Sequence, residues 1–171
     1  MPELPEVETV RRTLYPRVVG RRIERVEILT ERQIFHPDPG TFRAELEGAV
    51  FDDIERRGKY LLFSLGPLLL VAHLRMSGHL FVCGPEAPRQ KHLHVVFHLD
   101  DGQEVRYVDQ RKFGGFHLLG PDRQGMPRGL ANLGPEPLSP SFTPDVLAAA
   151  LAGRQTSVKA ALLNQALVAG L

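Results

Sequence analysis

The sequence predicts a mainly β fold with flanking helices, and three observations carry that expectation. From Ile23 to Leu119 short apolar or alternating runs recur between turn residues, the pattern of half-buried strands. The opening residues follow helical spacing instead. After Gly120 the chain becomes rich in Gly and Pro through Pro140 and then returns to helical patterning.

Taken in order, Pro5–Leu14 reads as a helix, because Pro5 suits a first turn, Val7, Val10 and Leu14 share a face, and Pro16 stops it. Glu3 and Glu6 then sit at its positive end. Strands are expected at Ile23–Leu29, Tyr60–Leu65, Leu68–Leu74, His92–Leu99 and Gln103–Val108. Gly66-Pro67 and Asp100-Asp101-Gly102 supply hairpin turns between them. Thr143 caps a helix over Pro144–Leu151, and Thr156 or Ser157 caps a run through Val168 that carries Val158, Leu162 and Leu167 toward a partner. The Gly/Pro-rich segment marks a boundary, with one unit over residues 1–130 and a second over 131–171. Two short final helices with nothing further to pack on suggest that the second unit is cut short.

Composition narrows the class. At 171 residues the chain can bury a core, and 21 Lys plus Arg against 20 Asp plus Glu give no bulk basic character. A local basic stretch runs from Arg11 to Arg25. The single cysteine, Cys83, excludes an internal disulfide, and the longest apolar run, Leu68 to Ala72, is too short to span a membrane. With no signal-peptide pattern at the start, a soluble cytoplasmic protein is expected.

Four motifs carry possible chemistry. A Pro2 freed by loss of Met1 is a secondary amine, and a reference α-amino pKa of about 7.7–8.0 leaves a neutral, nucleophilic fraction near neutral pH. Glu3 and Glu6 lie close enough to move a proton and to position that amine, although acids also simply suit a first helical turn. Lys59, after the Gly58 turn in RRGKYLLF, either reaches a phosphate or is a solvated turn lysine. Met76 in HLRMSGHL either wedges into a base step beside His73 and Arg75 or fills a core gap. Arg111 and Phe113 in VDQRKFGGF put a guanidinium and a ring on one loop, a pairing suited to bases. In KHLHVVFHL strict alternation places His92, His94, Val96 and His98 on one solvent-facing strand surface. No zinc spacing accompanies them, so no metal is expected.

These pieces occur together, in order, as MPELPEVETVRRTL, RRGKYLLF, HLRMSG, DQRKFGG, LGPEPLS and SVKAALLNQALVAGL. In that combination the chain resembles the formamidopyrimidine-DNA glycosylase family, whose relative is endonuclease VIII. The resemblance implies a two-layered β-sandwich with an N-terminal helix over 1–130, and a linker with the first helices of a truncated helix-two-turn-helix domain over 131–171. It implies a DNA-repair glycosylase and abasic-site lyase that removes oxidised purines, 8-oxoguanine and formamidopyrimidines, through a proline Schiff base and β,δ-elimination.

On this resemblance Pro2 attacks the sugar C1′, Glu3 is the acid–base catalyst, Glu6 orients the amine and Lys59 contacts phosphate. His73 is a further phosphate contact, and Met76, Arg111 and Phe113 fill the gap left by a flipped nucleotide. The implied partner is double-stranded DNA with oxidised bases or abasic sites, bound by a monomer, with no cofactor in this chain. Full-length family members carry a structural zinc in a C-terminal finger beyond it. The chain has Gln110 and Lys112 where the family pattern has Pro and Arg, removing a stiffening residue and one guanidinium. Weak activity is expected for so short a chain. The rivals are a non-catalytic damaged-DNA binder, an endonuclease VIII-like enzyme for oxidised pyrimidines, and a proline tautomerase that leaves the Met76 and Arg111 loops without a role.

Overall fold

The computed structural model describes residues 1–171. Helix α1 (Leu4–Val18) precedes β1 (Ile23–Ile28), β2 (Ile34–His36), α2 (Pro39–Leu46) and β3 (Asp53–Arg57). Strands β4 (Tyr60–Leu65), β5 (Leu68–His73), β6 (Gly78–Cys83), β7 (Leu93–Leu99), β8 (Glu104–Asp109) and β9 (Gly115–Leu119) follow. Three short helices, α3 (Arg128–Ala131), α4 (Pro144–Leu151) and α5 (Val158–Leu162), end the chain. The strands form a four-stranded sheet ordered β1-β7-β8-β6 and a five-stranded sheet ordered β2-β9-β5-β4-β3, so the expected mainly β architecture of two sheets and an N-terminal helix is present.

Alternation builds the core between the sheets. Leu61, Phe63 and Leu65 of β4, with Leu70 and Ala72 of β5, meet Val95 and Phe97 of β7 and Val105 and Tyr107 of β8 in one buried cluster. Phe97 and Phe116 join the two layers edge to face, with ring centroids 5.5 Å apart, and Phe42 of α2 packs beside both. Helix α1 joins the same cluster through Val7, Leu14 and Val18, each fully buried.

The expected hairpins at Gly66-Pro67 and Asp100–Gly102 join β4 to β5 and β7 to β8. Three expectations are corrected. Pro16 lies inside α1, which runs on to Val18; so near the C-terminal end, proline disturbs only the last turn. The final run is broken, since α5 ends at Leu162 with Ser157 as its cap, and Val158 is 61% exposed while Ala161, Val168 and Ala169 are buried. The histidine face is not solvent-facing: a bulge interrupts the pairing between Leu93 and Val95, and His94 and Val96 are buried although Val95, Phe97 and Leu99 are the residues that face the core.

The basic stretch from Arg11 to Arg25 is largely used internally. Arg11 and Arg12 pair with Glu8, Arg17 donates to the Val82 carbonyl, Arg21 pairs with Asp101 and Arg25 with Glu27. No helix is long and apolar enough to cross a membrane.

Because Leu14 is fully buried between α1 and the sheets, Leu14→Ala should lower the unfolding free energy by about 2–5 kcal/mol, read from urea denaturation.

Candidate functional site

The N-terminus of α1 is fixed from several sides. The Glu6 carboxylate accepts the Glu3 backbone N–H at 3.0 Å, the returning half of a capping box. Leu4 N–H donates to the Gly170 carbonyl at 3.0 Å, tying the helix start to the end of the chain. The Glu3 carboxylate forms an ion pair with Lys59 Nζ. Lys59 is only 8% exposed, and a lysine that far from water requires a partner such as this one.

Lys59 is presented by a tight turn between β3 and β4. Gly58 there has φ 58°, a left-handed conformation that glycine adopts without steric cost, and its N–H donates to the Glu136 carboxylate. Arg56, with a side chain 8% exposed, joins Glu8 of α1 at 3.2 Å to Glu136 at 2.9 Å and donates to the Gly58 carbonyl. Arg57 adds a second contact to Glu136 at 3.3 Å. Its hydrogen bonds from Arg11 hold the Glu8 carboxyl down at about 2 against the opposing effect of burial, with Arg12 and Arg56 assisting.

Two clefts flank this frame. One, of about 320 Å³, is lined by Pro2, Glu6, Leu74 and Met76. The other, of about 240 Å³, is lined by Lys59, Tyr60, His73, Arg75 and Gln165. Met1 borders both. Within the second, His73 Nδ1 accepts the Arg75 backbone N–H at 3.0 Å, and the Tyr60 ring stands edge-on at 4.4 Å. An accepting Nδ1 carries no proton, so His73 is neutral with its other nitrogen free to donate. Burial pushes its pKa down to about 3, and the positive charges of Arg75 and Lys59 act in the same direction.

Met76, 41% exposed, lies on the β5–β6 connection, and Arg111 and Phe113, the latter 56% exposed, lie on the β8–β9 connection. These connections are adjacent, because Gly78 pairs with Asp109 and His73 with Gly115. The structure thus gathers Pro2, Glu3, Glu6, Lys59, His73, Met76, Arg111 and Phe113 along one edge of the sandwich. Sequence reading missed Tyr60, Glu8, Arg56 and Glu136. Arg56 and Glu136 stood inside the quoted segments RRGKYLLF and LGPEPLS, but nothing local shows that they meet.

His94 spends both ring nitrogens, one with Thr30 Oγ1 at 2.8 Å and one with the Asp109 carbonyl at 2.7 Å. No three His, Cys, Asp or Glu side chains converge in the structure.

Comparison with known proteins places this geometry. The formamidopyrimidine-DNA glycosylase N-terminal domain matches residues 1–116. A formamidopyrimidine-DNA glycosylase of Symbiobacterium thermophilum is 85% identical over 171 residues, all of this chain and 56% of that protein. That of Geobacillus kaustophilus is 50% identical over 99% of this chain and 62% of its own length. The chain therefore spans somewhat more than half the length of these relatives. Among solved structures, the Lactococcus lactis formamidopyrimidine-DNA glycosylase bound to DNA containing an abasic site superposes with a TM-score of 0.88 at 41% identity, covering 99% of this chain and 65% of that one. The same enzyme with a FAPY-dG-containing DNA gives 0.89 at 39% identity, covering 99% and 63%.

Glu136→Ala should destabilise the chain by about 1–3 kcal/mol in urea denaturation, because it removes the acceptor of the Gly58 N–H and one of the two carboxylates that hold the poorly exposed Arg56. A second prediction concerns pH. The unfolded chain protonates His73 near 6.5 while the folded chain resists until about 3. Unfolding therefore takes up protons, and stability should fall as pH drops through this window. Glu8, ordinarily near 4.5 and held at about 2, extends the loss at the acid end. Melting temperature against pH checks this, and His73→Gln should flatten the upper part of the curve.

Proposed function

The chain belongs to the formamidopyrimidine-DNA glycosylase family, and on that premise we propose that it is the catalytic part of a DNA-repair glycosylase with abasic-site lyase activity. The observation that carries the reading is the position of Met1, which borders both clefts and covers the Pro2 nitrogen as an amide. Its removal converts that nitrogen into a secondary amine between the Glu6–Met76 cleft and the Lys59–His73 cleft.

In this reading the neutral Pro2 amine attacks C1′ of a damaged nucleotide, and the bond to the base breaks with its electron pair leaving on the base. Glu3 supplies the proton and later removes one, while Glu6 helps to orient the amine through the Glu3 backbone it holds. The amine nitrogen then loses its proton and the sugar ring opens, the C1′–O4′ bond breaking as O4′ takes a proton from Glu3, which leaves an iminium between C1′ and Pro2 that acidifies the C2′ proton. Its loss expels the 3′ phosphate, and a second elimination expels the 5′ phosphate, while hydrolysis of the iminium returns Pro2. Lys59 exchanges part of its contact with Glu3 for a phosphate, and neutral His73 donates to one without adding charge. Met76, Arg111 and Phe113, exposed on adjacent connections, occupy the space of the extruded nucleotide.

The substrate class we assign is duplex DNA with oxidised purines such as 8-oxoguanine and formamidopyrimidines, or with abasic sites. The solved relatives hold an abasic site in one case and FAPY-dG in another, which supports that choice. We further propose a monomer acting in the bacterial cytoplasm, with residues 131–171 serving as a linker and the first helices of a second unit. Since each phosphate contact contributes through counterion release, a chain with this part alone should bind DNA weakly, and with a shallower salt dependence than a protein making the full set of contacts.

The test mixes the protein with an abasic-site oligonucleotide and borohydride and records the intact mass. The expected species lacks Met1 and carries one oligonucleotide, with Pro2→Gly strongly reducing the adduct. A free Pro2 that forms no adduct even at low salt overturns the assignment. Glu3→Gln should lower excision of an intact damaged base by about 10²–10⁴-fold while adduct formation at a ready-made abasic site suffers far less.

A further inference from the structure

Resting on that reading, we infer that Asp109 is a positioning residue that locks the Met76 connection and the Arg111–Phe113 connection into one unit, so that both enter a duplex together. Asp109 is completely buried at the end of β8 and touches neither cleft. Its carboxylate accepts from Ser77 on the first connection, from Arg111 and Gly114 on the second, and from Tyr107 on β8 itself. Oδ1 accepts Ser77 Oγ at 2.5 Å and Arg111 N–H at 3.1 Å, while Oδ2 accepts Tyr107 OH at 2.9 Å and Gly114 N–H at 2.9 Å. Ser77 Oγ in turn accepts from Arg111 N–H at 3.0 Å, closing a three-membered network between residues that follow Met76 and precede Phe113.

Independent features mark the same unit. Each connection contains a non-glycine residue with positive φ, Arg75 at 54° and Lys112 at 59°, a conformation that side chains other than glycine hold only when their surroundings fix it. Gly114 has no room for a side chain, since a Cβ there would lie 2.3 Å from the Tyr107 hydroxyl and 2.4 Å from the His73 carbonyl. From below, buried Gln33 donates to the Gly114 carbonyl at 2.5 Å, and His94 holds the Asp109 carbonyl at 2.7 Å. Burial raises the Asp109 pKa, yet its hydrogen bonds from Ser77, Gly114 and Tyr107 outweigh this and keep it below the usual carboxylate range. The anion needed as a fourfold acceptor is therefore retained.

Ser77→Ala tests the coupling, because Ser77 is only half-buried and its loss leaves Asp109 with its other donors. In hydrogen exchange on the free protein, amides of residues 110–114 should speed up on the order of tenfold together with those of 74–78, the effect of losing a hydrogen bond to a charged acceptor. Ser77→Thr should restore both, and β4 should be unaffected. Unchanged exchange at 110–114, or a uniform rise that includes β4, overturns the proposal. In borohydride trapping, the ratio of duplex to single-stranded abasic adduct should fall several-fold with Ser77→Ala, on the order expected for that bond, and its dependence on the base opposite the site should flatten. An unaltered ratio and base dependence removes the functional half of the inference. If the wild-type chain traps neither DNA, the proposed glycosylase reading fails, while the exchange result still decides whether the two connections are coupled.

Discussion

The seating of α1 against the sandwich is the constraint from which the rest of the site follows. Val7, Leu14 and Val18 are fully buried against the strands, so the start of the helix cannot wander. A chain terminus is ordinarily the least ordered part of a domain. Here apolar burial supplies most of the anchoring free energy, and the capping contact of Glu6 with the Glu3 N–H and the bond from Leu4 to Gly170 set the final direction. The nucleophile proposed at residue 2 would depend on the hydrophobic packing at residues 7, 14 and 18 that fixes the helix.

Electrostatics then decide what the fixed terminus faces. Lys59 is nearly buried and would be costly alone, and the Glu3 carboxylate answers it. The turn that delivers Lys59 is itself held by Glu136, and Glu136 is tied through Arg56 to Glu8 on α1. The same helix therefore carries the candidate nucleophile at one end and, two turns along, the carboxylate that steadies the lysine's turn. Removing a member of this chain of charges strands its partner in a poorly solvated place, which is why such residues matter more than their distance from the clefts suggests.

Much of this was legible from local pattern. Hairpins at Gly66-Pro67 and Asp100–Gly102, the strands either side of them, and the helix over Pro144–Leu151 follow from turn chemistry and period alone. The failures are equally physical. Strand β3 carries Asp, Glu and two Arg around a single Ile, so its identity rests on the neighbour to which it bonds. Val95, Phe97 and Leu99 of β7 face the core as alternation requires; His94 and Val96 on the opposite face are buried as well, because other parts of the chain cover that face, which strand period alone does not reveal.

The candidate site residues were marked by type and by short motifs: a proline behind Met1, acids one turn apart, a lysine after a glycine turn, and an arginine near an aromatic. Sequence by itself determined these identities and the strand periods that carry them, since both depend on neighbours along the chain. Only the tertiary structure decided that Met1 lies between two clefts, that Glu136 meets Gly58 across 78 positions of sequence, and that Asp109 binds Ser77 across 32. Such contacts depend on how the two sheets close on each other. Local propensity carries no record of that closure, because the free energy that selects it comes from burying apolar faces that are remote in sequence.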